Sequence, residues 1–168
     1  MTCPLCGSQA RPFDIARKRR YYQCNHCHSI LLDPDDYVSA QNEKERYEKH
    51  NNDVNDSRYQ KFVSPIAEQI IRDHTQHEHG LDFGSGTGPV ISKMLRDKGY
   101  QVNTYDPFFH NDHSVLEYTY HYIACCEVAE HFHHPRKEFN RLRNLLKPGG
   151  RLYCMTEIYQ PDIPFQSW

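Results

Sequence analysis

Three groups of residues in this chain have types and spacings that do chemistry. Cys3-Pro4-Leu5-Cys6 and Cys24-Asn25-His26-Cys27 are two CxxC pairs with 17 residues between them. Four thiolates at this spacing can surround one tetrahedral ion, and zinc is the default. Gly7 relaxes the backbone behind the first pair. A redox CxxC needs only one pair, and an iron–sulfur cluster is the less common occupant at this spacing. Four Cys already fill the site, so His26 and His28 are read as surface groups or neighbours of the ligands.

The second group is Gly84-Ser85-Gly86-Thr87-Gly88, with Asp82 just before it and Asp106 placed 22 residues after Gly84. Glycines at a strand-to-helix turn let a ligand approach the backbone, and an acid at the end of the next strand can accept hydrogen bonds from ribose hydroxyls. The pattern is GxGxG, with Pro89 where a dinucleotide fingerprint has a later glycine. Asp82 would repel a pyrophosphate but suits a ligand that carries an ammonium and a sulfonium, which favours S-adenosylmethionine. The third group is Glu127-Val128-Ala129-Glu130-His131, two carboxylates and an imidazole at i, i+3 and i+4. They share a face if the segment turns helical and could then converge on one point. Packing and helix-terminal charge are the plainer reading.

The elements that must position these groups can be read from periodicity. His79–Phe83 reads as a strand and Pro89 to about Arg96 as a helix of 8 to 10 residues, buried through Val90, Ile91, Met94 and Leu95 and stopped at Gly99. Tyr100–Asp106 reads as the next strand, and Tyr122–Cys126 as a buried central one. Pro135 opens a helix to about Leu146, and Lys147-Pro148-Gly149-Gly150 turns into a strand over 151–156. Val63–His74 carries Ile66, Ala67, Ile70 and Ile71 at helical spacing. The segment before it, Gln41 to Phe62, has ten charged residues of 22 and reads as a linker. Tyr47, Tyr59, Phe62 and His50-Asn51-Asn52-Asp53 would make it instead a lid over a cofactor.

Leu81-Asp82-Phe83-Gly84-Ser85-Gly86-Thr87-Gly88, Tyr105-Asp106-Pro107, the Glu-x-x-Glu-His exit and Lys-Pro-Gly-Gly resemble, in that order, the motifs of class I S-adenosylmethionine-dependent methyltransferases. With the CxxC pairs, the chain is similar to a bacterial group of zinc-ribbon members of mostly unassigned substrate. The resemblance implies an α/β, Rossmann-like methyltransferase sheet over residues 63–168, a zinc ribbon over 1–38 and a linker or lid over 39–62. It mildly favours the lid. It assigns Asp82, Gly84, Ser85, Gly86, Gly88, Asp106 and Glu127 to the cofactor, Glu130 and His131 to catalysis, and Cys3, Cys6, Cys24 and Cys27 to structural zinc. Related Glu-x-x-Glu-His clusters in ubiquinone-type O-methyltransferases and small-RNA 2′-O-methyltransferases hold a divalent cation, so Glu127, Glu130 and His131 are candidate ligands for one. His121 stands where the family often has Asp, and the 14 residues between Asp106 and His121 leave room for one short strand near 115–120. Twelve residues follow Thr156, where the family continues into a helix and hairpin. A partial sequence, or a homodimer through the exposed sheet edge, is therefore expected.

Composition bounds the function further. The 168 residues carry 20 Lys+Arg against 22 Asp+Glu, which gives no whole-chain field for nucleic acid or membrane. Leu, Ile, Val and Phe number 34, a thin core supplemented by 12 Tyr. No apolar run is long enough to span a bilayer, and the start lacks a signal segment, so a cytoplasmic protein with no membrane partner is expected. The expected acceptor is a small molecule or a carrier-linked group. An RNA methyltransferase would use Arg17-Lys18-Arg19-Arg20 beside Tyr21-Tyr22, although Asp33, Asp35 and Asp36 offset that charge. A zinc-containing binding module with a non-catalytic methyltransferase fold is the remaining alternative.

Overall fold

Arg17 and Lys18 both adopt positive φ, 51° and 63°, in a two-residue turn that matches the twist of a hairpin. The turn joins β1 (Ala10–Ala16) to β2 (Arg19–Cys24), and β3 (Ile30–Leu32) completes an antiparallel sheet in the order β1-β2-β3. The computed structural model describes residues 1–49 and 53–167, so His50, Asn51 and Asn52 of the expected lid lie outside the described residues. The small sheet's core cluster is Cys3, Ala10 and Cys24, with Met1, Leu5, Tyr22 and Leu31 packed alongside. Its basic run is partly neutralised: Arg20 pairs with Asp33, Asp35 and Asp36 at 3.3–3.5 Å. Nor are the two tyrosines free, since the Tyr22 hydroxyl donates to Asp33 and the Tyr21 ring packs edge-on against Phe165.

The second sheet is parallel throughout, in the order β5-β4-β6-β7, where β4 is His79–Phe83, β5 Gln101–Tyr105, β6 Tyr120–Cys126 and β7 Leu146–Met155. A parallel sheet needs cover on both faces. Helices α2 (Ser57–Asp73) and α3 (Val90–Arg96) supply one side, where Val63, Ile66, Ala67, Ile70, Val90, Ile91 and Leu95 pack on Val102, Tyr122 and Ala124. Helix α4 (Pro135–Asn144) supplies the other through Leu142, against Leu81, Phe83, Tyr105, Ile123 and Cys125. The result is a Rossmann-like α/β sheet, as the sequence implies.

Several boundaries differ from the expectation, each for a local reason. Helix α2 begins six residues before Val63, because the Asp56 side chain caps it by accepting from Arg58 N–H at 2.8 Å. Helix α3 has seven residues rather than 8 to 10. The strand expected near 115–120 is a 3-10 helix, His113–Glu117, started by Asp112, whose carboxylate takes both the Ser114 N–H and its hydroxyl. Lys147-Pro148-Gly149-Gly150 is absorbed into β7 as an irregularity: Tyr120 faces Leu146, yet Tyr122 already faces Arg151. A Cβ on Gly150 would sit 2.9–3.1 Å from three carbonyl oxygens, so only glycine fits there. His121, in place of the family's acid, accepts the His79 N–H through Nδ1 at 2.9 Å.

Helix α1 (Ala40–Glu48) lies in the segment read as linker or lid, and the Ser39 hydroxyl caps it. Beyond β7 the chain returns to the small sheet. Phe165 is buried there, with ring centroids 5.1 Å from Phe13 and 4.8 Å from Tyr21, and the Gln166 amide donates to both Asp14 carboxylate oxygens at 2.8 Å.

The tightest close approach in the parallel sheet is Gly80, where an added Cβ would meet the Tyr122 ring at 1.9 Å. Gly80→Ala should therefore destabilise the fold by about 1–3 kcal/mol through overpacking. Urea unfolding should show a lower midpoint at unchanged slope, and an unchanged midpoint would show that the ring can move aside.

Candidate functional site

The carboxyl ends of β4, β5 and β6 open onto a cleft of about 560 Å³, within the usual range for a small-molecule pocket. Gly84 turns the chain out of β4 with φ +79° and packs against Val128, whose methyl carbon would lie 2.3 Å from any Cβ there. The turn is tied to β5 by Gly84 and Ser85 N–H groups donating to the Tyr105 carbonyl. Gly86, at φ +64°, donates its N–H to Asp106 Oδ2 at 2.9 Å, while Phe108 and Phe109 N–H groups donate to Asp106 Oδ1. A carboxylate offers about four acceptor positions. Among the described residues three are taken, which leaves one on Oδ2.

Of the residues singled out from sequence, Gly84, Ser85, Gly86, Asp106, Glu127, Glu130 and His131 line the cleft. Asp82 and Gly88 do not line it. Asp82 is buried beneath the loop, where its carboxylate accepts from the Ser92 hydroxyl at 2.8 Å and the Ser92 N–H at 3.3 Å, so its contact is with α3. Gly88 is buried, and its carbonyl accepts from Val90 N–H. Glu127 takes a positive φ of 54°, an uncommon conformation for a side-chain-bearing residue, and its N–H donates to Met155 O.

The exit from β6 is not an α-helix. Val128 is extended in φ, and only Ala129–His131 forms a single 3-10 turn, so Glu127, Glu130 and His131 do not stack on one face. Among the described residues, the four cysteines are the one group of three or more potential ligands whose donor atoms lie within 4.8 Å of one another. The expected divalent-cation set is thus not assembled here. His131 faces a different partner, with Nδ1 lying 3.5 Å from Glu43 Oε1 on α1 and the Tyr47 ring edge-on to the imidazole at 5.6 Å. Burial raises the carboxyl of Glu127, reinforced by Glu130, and burial likewise raises the Tyr47 phenol.

Sequence reasoning missed Glu43, Arg46, Phe108, Cys126 and Arg141, which also line the cleft. The signal for Glu43 and Tyr47 was present, since an i, i+4 pair on one helix face in an otherwise polar segment points at a common surface. Among the described residues, five carboxylates (Glu43, Asp106, Glu127, Glu130, Glu138), two guanidiniums (Arg46, Arg141) and seven Phe or Tyr rings surround the space. Acid excess and aromatic faces suit a cationic ligand.

At the small sheet, Cys3, Cys6, Cys24 and Cys27 converge, with Sγ···Sγ distances of 3.7 Å (Cys3–Cys27) and 3.4 Å (Cys6–Cys24). Sulfurs around a tetrahedral zinc lie about 3.8 Å apart. Each CxxC is followed by a residue at positive φ, Gly7 (83°) and His28 (59°), which turns the backbone back over the sulfurs. Ser8 pulls the Cys6 thiol down to about 5 through its backbone N–H, whereas burial pushes Cys3 up to about 11. The donor set is compatible with zinc. Arg136 Nε donates to the Leu5 carbonyl at 2.9 Å, so this knuckle is anchored on α4.

A parallel sheet in this strand order, with a glycine loop braced by the acid of the neighbouring strand, is a Rossmann-like fold consistent with a class I methyltransferase. Residues 47–168 match the family model described as a methyltransferase domain, and the chain belongs to that family. A 66-residue stretch is also 38% identical to the large ribosomal subunit protein bL9 of Ehrlichia ruminantium, strains Gardel and Welgevonden. It covers 39% of this chain and 30% of each of those proteins, so the chain spans under a third of the length of these curated relatives.

Two outcomes follow from this geometry. Chelation should release amide protection in residues 1–33 together with 159–167, because Phe165 and Gln166 hold to the ribbon, while β4–β6 stay protected; hydrogen exchange followed by mass spectrometry would read this. Protection lost everywhere at once would show a single cooperative unit. For Asp82, burial raises the carboxyl from 3.8 to about 6. A group raised in the folded state contributes stability fully below 3.8, and that contribution is lost as pH rises through about 6. Asp82→Asn should therefore gain stability relative to the parent as pH increases across this window and hold the difference above it. Parallel pH profiles for the two proteins would contradict the burial.

Proposed function

We propose that this protein transfers a methyl group from S-adenosylmethionine to a small-molecule or carrier-linked acceptor, with the four cysteines holding structural zinc. The observation that carries the reading is the cleft itself: a glycine loop braced by Asp106, inside an acid-rich, aromatic wall that suits a sulfonium and an ammonium. When bound, S-adenosylmethionine supplies an electrophilic methyl group on a positively charged sulfur.

The chain's own part is positioning and proton handling. The Gly84–Gly86 backbone lets the ligand approach closely, and the open Oδ2 position of Asp106 accepts one ribose hydroxyl rather than the two expected from sequence. Helix α1 covers the cleft with Glu43, Arg46 and Tyr47, excluding water. Glu43 sits at the Nδ1 edge of His131. When Nδ1 carries the proton toward Glu43 Oε1, Nε2 keeps its lone pair and takes the proton of an acceptor hydroxyl or amine. Holding that acceptor in line at near-attack distance contributes about 7–11 kcal/mol in the most favourable cases.

Calorimetric titration of the zinc-replete protein tests this. S-adenosylmethionine and its demethylated product should bind at micromolar concentrations and NAD should not. Asp106→Ala should weaken binding by about 1.5–3 kcal/mol, the loss of a charge-assisted hydrogen bond. Equal binding of NAD, or an Asp106 variant of unchanged affinity, would overturn the assignment.

A further inference from the structure

A second cavity, of about 1030 Å³, shares His134 and Arg141 with the cleft. Its walls are α4, the segment 116–119 and Pro4 of the first CxxC pair. Along α4, Lys137, Asn140, Arg141 and Asn144 stand at i, i+3, i+4 and i+7, which places them on one face. Every one of these side chains donates hydrogen bonds. An ordinary solvated helix face mixes acids with bases, but here the helix's one acid, Glu138, lines the cofactor cleft instead. Among the described residues, the second cavity therefore has three basic side chains, Arg136, Lys137 and Arg141, the last paired with Glu138, against the one lining carboxylate of Glu117. The cleft beside it has five carboxylates against two guanidiniums.

Two of the three cations are already positioned. Arg136 is fixed by the Leu5 carbonyl at 2.9 Å, and Arg141 lies between Glu138 at 3.6 Å and the Tyr105 ring, 5.5 Å from its centroid. Lys137 is exposed. We propose that this cavity binds a phosphate ester or diphosphate carried by the methyl acceptor, so that the anionic end rests on α4 and the reacting end passes His134 and Arg141 into the cleft. The proposal rests on the methyltransferase reading for the word acceptor, but the anion site stands on its own residues. Guanidinium forks with nearby amides match phosphate oxygens. RNA is the less favoured occupant, because three cations on one helix do not make a track along a polynucleotide backbone and the other basic run has Arg20 tied to three acids. In this arrangement the ribbon is a wall of the acceptor site.

The test titrates the zinc-replete full chain with inorganic pyrophosphate at low and moderate salt, and separately with S-adenosylmethionine. Pyrophosphate should bind, weaken as salt rises, and lose about tenfold in affinity in Lys137→Glu, with a shallower salt slope. Cofactor affinity should be unchanged in that variant, because Lys137 does not line the cleft. Asn144→Asp, at the far end of the same stripe, should also weaken pyrophosphate and serves as an independent check on folding artefacts. Pyrophosphate binding without cofactor binding would retain the anion site and remove the methyltransferase reading. Cofactor binding with no pyrophosphate binding, or pyrophosphate binding indifferent to both variants, would overturn the anion site alone. Tighter, Lys137-dependent binding of a single-stranded RNA oligonucleotide would replace the small-molecule acceptor with RNA.

Discussion

Everything at the mouth of the parallel sheet depends on where the Asp106 carboxylate spends its lone pairs. One oxygen holds the Gly86 amide and so fixes the glycine loop that leaves β4; the other gathers the amides of Phe108 and Phe109 and so fixes the loop that leaves β5. Two loops from adjacent strands are clamped by one buried charge, which costs little because N–H groups replace its water. The glycine loop is thus shaped before any ligand arrives. The same economy limits the residue, since a carboxylate with three bonds made has one left to give.

The fold was legible in the sequence wherever periodicity was strong. His79–Phe83 has the bounds expected of it, and the faces of α2, α3 and α4 bury the apolar residues that their spacing selects. What was not legible turns on side-chain capping and backbone detail. Asp112 with Ser114 makes a 3-10 turn out of a stretch where the spacing between Asp106 and His121 left room for a strand. Lys147-Pro148-Gly149-Gly150 reads as a turn in any local scan, and only the flanking pairs Tyr120–Leu146 and Tyr122–Arg151 show it inside a strand. At the cleft, motif logic selected Gly84, Ser85, Gly86, Asp106 and the β6 exit, which line it, together with Asp82 and Gly88, which do not. It missed Glu43, because a helix with no buried residue gives no hydrophobic signal and its role exists only where the chain folds back onto His131. The shared face of Glu127, Glu130 and His131 was conditional on a helical exit, and the positive φ of Glu127 with a single 3-10 turn after it does not meet that condition.

Helix α4 links the parts that sequence analysis kept apart. Its buried side completes the core under β6, its first turn is held by the ribbon through Arg136, and its remaining sides contribute to two cavities of opposite charge. A cationic methyl donor and an anionic acceptor would each be drawn to its own side of one short helix and repelled from the other. Discrimination between them then needs no moving part.

The clasp of Gln166 on Asp14 spans 152 residues of chain. At a synthesis rate of roughly 5–20 residues per second, the ribbon waits about 8–30 s for the segment that covers its Phe13 and Tyr21 rings. During that interval a four-cysteine hairpin with exposed aromatic side chains stands ahead of a half-made parallel sheet whose own pairings are non-local and slow. Capture of an ion by the four thiols would keep that nascent hairpin ordered by coordination chemistry rather than by burial.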